Sequence, residues 1–107
     1  MIFSSIRMKV FPEKRKELSQ TIASLVHSIR TQKGCRHCIC RYNLEDENEL
    51  CLFGEWENEE ALAGHLESDL FKVFLGATSL LRSPHEIKLY SNVAELRFPG
   101  PAEEWSI

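Results

Sequence analysis

No stretch of this 107-residue chain approaches the roughly 20 consecutive apolar residues that a membrane-spanning helix requires. The first residues, Met1 to Lys9, alternate as a strand and contain no signal-peptide apolar region, so the expected location is the cytoplasm. Positive charge is not in excess: 13 Lys and Arg against 16 Asp and Glu leave a net charge of −3. A protein that reads a phosphate backbone usually presents a net basic face, and the densest basic group here, Lys14-Arg15-Lys16, falls on a helix's solvent side. Nucleic acid and membrane are therefore not expected partners. There is no P-loop, no dinucleotide-binding glycine motif and no nucleophilic triad, and His65 runs into Leu66, Glu67 and Ser68 rather than an HExxH pattern. Cys35 and Cys38 have zinc-like spacing, but no second CxxC or HxxxH follows them. Cys38 and Cys40 would be same-face neighbours on a strand, about 7 Å apart, too far for thiolates that each sit about 2.3 Å from one zinc. The four cysteines (Cys35, Cys38, Cys40, Cys51) accordingly read as reduced core residues, with no metal site. No linker and no solenoid-length repeat interrupts the chain. One domain over residues 1–95 is expected, followed by an extended tail, 96–107, in which Phe98 and Trp105 are available to dock.

What is present is strong periodicity. Residues Ile2 to Val10 place Ile2, Ile6, Met8 and Val10 on one face and Phe3, Ser5, Arg7 and Lys9 on the other, the period of a strand. Pro12 suits a first helical position, and Leu18, Ile22, Leu25 and Ile29 then form one stripe of a helix that runs to about Gln32. Gly34 is the helix stop. Cys35 to Asn43 and Leu50 to Glu57 alternate again, separated by the polar turn Glu45 to Asn48, and predict a hairpin. Asn58 is a helix cap followed by Glu59 and Glu60, where the helix dipole favours acids. Ala61, Leu62, His65 and Leu66 continue that helix. Ser68-Asp69 offers a second cap, so the helix is expected to break or bend there before Phe71, Phe74 and Leu81, and Pro84 ends it. His85 to Glu95 reads as a fourth strand.

The order β-α-β-β-α-β predicts an α+β, ferredoxin-like fold with a four-stranded antiparallel sheet. Right-handed connections put both helices on one face. The other face then shows Phe3, Ile39, Phe53 and Tyr90 among polar groups, an apolar surface of the kind that marks an interface. Two such sheets closing face to face make a barrel, so a homodimer is expected.

The stretch Gly54-Glu55-Trp56-Glu57-Asn58-Glu59-Glu60-Ala61-Leu62, followed by His65-Leu66-Glu67-Ser68-Asp69-Leu70-Phe71, resembles the antibiotic biosynthesis monooxygenase (ABM) domain family. The Gly34-Cys35 step and Tyr90 fit the same pattern, and the resemblance spans residues 2 to 95. It implies a dimeric α+β barrel. It also implies oxidation of a quinol, phenol or polycyclic aromatic by molecular oxygen with no cofactor, or, as an alternative, a small-ligand-binding or stress-response barrel without catalysis. Haem-degrading relatives carry an asparagine on the first strand, a tryptophan where His65 falls and a later histidine. Ser4, Ser5, His65 and Leu75 depart from that set and argue against haem degradation.

Each candidate site residue has two readings. Trp56 either lines a pocket or fills the core beneath a helix. His65 is either a partly buried structural histidine or the base that takes a phenolic proton. Phe53, Phe71, Phe74 and Tyr90 either wall a water-poor cavity for a small aromatic ligand or are plain core. Arg7, Arg41 and Asn43 either face the dimer seam or hydrogen-bond a quinone-like carbonyl. The pocket is expected between the helix pair and the sheet, near Trp56 and His65, and not at the seam.

Overall fold

The computed structural model describes residues 1–92 and 94, so the expected tail with Phe98 and Trp105 lies outside the described residues. Strand β1 (Ile2–Lys9) leads through a 3-10 turn at Pro12–Lys14 into helix α1 (Arg15–Ile29). Strands β2 (Cys35–Asn43) and β3 (Asp46–Trp56) form the hairpin. Helices α2 (Glu59–Leu66) and α3 (Asp69–Ala77), a 3-10 turn at Thr78–Leu80 and strand β4 (Glu86–Tyr90) complete the chain. The strands pair antiparallel in the order β2-β3-β1-β4. This is the ferredoxin-like arrangement that the element order predicts.

Three boundaries differ from expectation and the expected break at Ser68 occurs, each for a local reason. Pro12 starts a separate 3-10 turn, so α1 begins three residues later. The helix after Trp56 breaks in two because the Ser68 hydroxyl accepts from Phe71 N (3.3 Å) and donates to His65 O (2.6 Å), stopping α2 and capping α3 at once. The hairpin turn is shorter than its polar sequence suggests: Asn43 Oδ1 accepts from Glu45 N (2.9 Å) and Asp46 Oδ1 from Asn48 N (3.0 Å), so β3 already begins at Asp46. Strand β4 ends at Tyr90, ahead of the left-handed backbone at Asn92 (φ 57°).

The α1 stripe of Leu18, Ile22, Leu25 and Ile29 is buried together with Val26. It packs on Ile6, Met8, Leu50 and Leu52, the inward residues of the two central strands. Gly34 joins α1 to β2 with φ 80°, a conformation that favours glycine, and a Cβ there would collide with the Cβ of Ala61. Among the described residues, no helix lies over the opposite face of the sheet. In-register pairing groups Phe3, Ser5 and Arg7 with Cys51, Phe53 and Glu55, with Ile39 and Arg41, and with Tyr90. Phe3 and Phe53 stand 6.4 Å apart between ring centres. Arg7 bridges Glu49 (3.1 Å) and Glu86 (2.9 Å), and Asn43 Nδ2 donates to the other oxygen of Glu49.

Candidate functional site

The cap at Asn58, whose Oδ1 accepts from Ala61 N (2.9 Å), starts α2 directly after β3. About two turns after that cap, His65 is carried back over the strand end. Its ring stacks on Trp56 with centroids 4.5 Å apart and planes 24° from parallel. Phe71 meets the same imidazole edge-on at 5.5 Å, Phe74 lies 5.4 Å beyond Phe71, and His85 stands edge-on to Phe74 at 5.8 Å. A continuous run of rings therefore extends from the end of β3 to the start of β4.

His65 is buried, and burial lowers its pKa from the ordinary 6.5 to about 4. The imidazole is neutral across the physiological range. Its Nδ1 lies 2.7 Å from Gln32 Oε1. An amide oxygen can only accept, so Nδ1 carries the proton and Nε2 holds the lone pair. Gln32 is placed by the turn after α1, where its N–H bonds Ile29 O (3.0 Å) and its carbonyl accepts from Cys35 N (3.1 Å). Gly54 has a related role beneath the stack. A Cβ at that position would stand 2.7 Å from Ser4 Oγ and 2.9 Å from Trp56 Nε1, so only glycine allows the indole N–H and the serine to close over the strand.

The space between helices and sheet is filled. Trp56 and Phe74 are each only 2% exposed. The open space beside His65 is instead a groove of about 630 Å³ between the end of α1 and α2, lined by Gln32, Gly34, Asn58, Ala61, Gly64 and His65. Trp56, Phe71 and Phe74 do not line it. Its volume falls in the range of small-molecule sites.

Among the predicted site residues, Trp56, His65, Phe71 and Phe74 come together on the helix side. Phe53, Tyr90, Arg41 and Asn43 do not join them, because the two-residue period of the strands turns them to the open face. One residue set thus divides between two surfaces. Sequence reasoning missed Gln32, which orients the imidazole, and His85, which ends the ring run. Gln32 sits past the helix stripe, where periodicity carries no signal. The cysteine thiols are free, and burial pushes Cys38 up to about 12 and Cys40 up to about 11, so both are protonated near neutral pH.

Residues 1–77 match the model of the family described as antibiotic biosynthesis monooxygenase. The chain is 30% identical over 88 residues to YcnE of Bacillus subtilis, covering 81% of this chain and 93% of that protein. It is 29% identical over 84 residues to sll1783 of Synechocystis, covering 78% of this chain but only 57% of that relative, so it spans little more than half of the Synechocystis protein. A conserved protein from Methanosarcina mazei Go1 superposes with a TM-score of 0.80 at 30% identity, covering 83% of this chain and 89% of the other. A Deinococcus radiodurans structure gives a TM-score of 0.84 at 18% identity over 94% of this chain and 100% of its own, a likeness of fold. No helix of the described residues is long and apolar enough to cross a membrane.

Proposed function

The chain belongs to the antibiotic biosynthesis monooxygenase family, and from that premise we propose that it oxygenates an electron-rich aromatic, a quinol, phenol or hydroxyanthrone, as a cytoplasmic homodimer without metal or flavin. The observation that carries the reading is His65: a neutral imidazole whose Nδ1–H is held by Gln32, leaving Nε2 as the base. A phenolic proton moves to Nε2, and the resulting anion is rich enough in electrons to reduce oxygen. For a hydroxyanthrone the balance closes without a reductant. One oxygen atom becomes the new carbonyl at the ring CH2, the other leaves as water, and the substrate supplies all the electrons. Trp56 lies flat against the imidazole and keeps it dry. The open sheet face, with half-buried Phe3, Ile39 and Phe53 and the exposed Tyr90, supplies the dimer seam.

Oxygen uptake against a panel of reduced quinones and anthrones tests the proposal. His65→Ala should lower kcat by a factor of about 100 or more, while circular dichroism shows an intact fold. Activity should hold down to about pH 5 and fall as His65 protonates near its pKa of about 4. Undetectable uptake across the panel would overturn it.

A second reading is favoured by one observation. The filled space around Trp56 and Phe74 leaves the helix-side aromatics no cavity of their own. A non-catalytic barrel that binds a small aromatic in the groove beside His65 fits this packing. It predicts a ligand-dependent rise in Tm with no turnover.

A further inference from the structure

Gly34 and Gly54 each have a reason in the fold, since a Cβ at either would collide with its surroundings. Gly64 has none. It lies within α2, where glycine is less favourable than alanine, its φ is not positive, and a Cβ there would meet nothing within 4 Å. What lies beside it is the groove next to His65, and Gly64 is exposed where it lines that groove. Ala61, three residues earlier on the same helix face, is pressed against Gly34. The helix face from Ala61 to Gly64 is therefore a bare floor, with no long side chain standing on it.

The charges around this floor have one dominant sign. Glu57, Glu60 and Glu67 line the groove against a single cation, Lys33. Glu60 stands four residues before Gly64 and Glu67 three after it, so both flank the floor along one helix face. Glu57 reaches Arg36 at 3.9 Å, whereas Glu60 and Glu67 have no Lys or Arg within 4 Å among the described residues. His65 lines the same groove, is only 8% exposed, and keeps Nε2 without a protein partner among the described residues.

We propose that Gly64 is the specificity-determining residue of this groove: with Ala61 it leaves the floor on which the ring of a cationic phenol lies beside Gln32 and His65, the ammonium group of that ligand facing Glu60 and Glu67. The proposal rests on the reading of this groove as the substrate site and adds its charge class. A carboxylated phenol meets like charges at the rim and is rejected.

Dopamine is the probe, with 3,4-dihydroxyphenylacetate, the same ring with the opposite charge, for comparison. Calorimetry and amide NMR shifts on the full chain, without oxygen, read binding apart from turnover. The expected outcome is saturable dopamine binding with shifts centred on residues 32–34 and 58–67. The carboxylate should bind about tenfold more weakly at low salt, and the gap should narrow as salt is raised. Gly64→Leu should weaken dopamine tenfold or more, with the fold intact by circular dichroism because its Cβ enters open space. Gly64→Ala should raise Tm by a few degrees and weaken dopamine less. Absent dopamine binding, equal affinity for the carboxylate, unchanged affinity in Gly64→Leu, or shifts centred elsewhere would each overturn the proposal. Dopamine binding with no oxygen uptake from any phenol or quinol would overturn the oxygenase reading alone. Uptake with dopamine that is unchanged in Gly64→Leu would overturn this proposal alone.

Discussion

The two sides of the sheet are made from alternate residues of the same strands, yet each buries an ionisable group by a different route. On the helix side, His65 is enclosed by Trp56 and Phe71 with one amide oxygen for a partner, and it gives up its charge. On the open side, Glu49 is also buried, but it is held by Arg7 and Asn43. A buried charge must be neutralised or paired. Neutralisation leaves an imidazole with a free lone pair on Nε2. Pairing produces a fixed polar lattice suited to a seam. Under the proposed function, this contrast assigns chemistry to one side of the sheet and assembly to the other.

The largest effect that tests this contrast is on packing. Trp56 is 2% exposed, so Trp56→Ala should remove about 3–5 kcal/mol of stability in urea unfolding. Phe53→Ala, on the open face, should lose less when the protein is dilute, with the loss growing at concentrations where a dimer forms. Equal, concentration-independent losses in the two variants would erase the distinction between core and seam.

Acid is the next lever. The His65 pKa is about 4 in the folded protein, against about 6.5 in the unfolded chain. The unfolded state therefore takes up the proton first. Stability should decline as pH falls from about 6.5 to about 4, by up to about 3 kcal/mol, and this contribution should level off below that. Urea titrations across this range should show a shallower slope for His65→Gln than for the parent chain. An unchanged slope would mean that His65 is not the neutral buried base described here.

How much of this was legible in the sequence depended on periodicity. The Leu18 to Ile29 stripe and the alternation of β1 and β3 are spread over many residues, and each registers burial directly, so the fold and its bare face could be read from them. Breaks that rest on a single side chain were harder. Ser68 announced itself as a cap, but the shift of the hairpin turn depended on two local bonds from Asn43 and Asp46 that no pattern encodes. In the site, Trp56 and His65 were visible as a pair because one strand end and one helix turn bring them together. Gln32 was not, since its contact with His65 crosses 33 residues of chain. Phe53, Arg41 and Asn43 show the opposite difficulty. Their residue types suit a pocket, but strand parity sends them to the other face.

The smallest effect probes the paired side of the comparison. Arg7 is half exposed and reaches both Glu49 and Glu86, so its ion pairs are partly screened by water. Arg7→Gln should cost about 1 kcal/mol in low salt, and the difference should shrink as salt is raised to about 1 M, where the Debye length falls to about 3 Å. A double-mutant cycle with Glu49→Gln isolates the pair itself, since Asn43 can still bond a glutamine at that position. A coupling of about 1 kcal/mol would show that Glu49 is tolerated by pairing. A coupling near zero would mean that the hydrogen bond from Asn43 alone keeps this carboxylate beneath the open face. The charge of Arg7 would then be engaged mainly by Glu86.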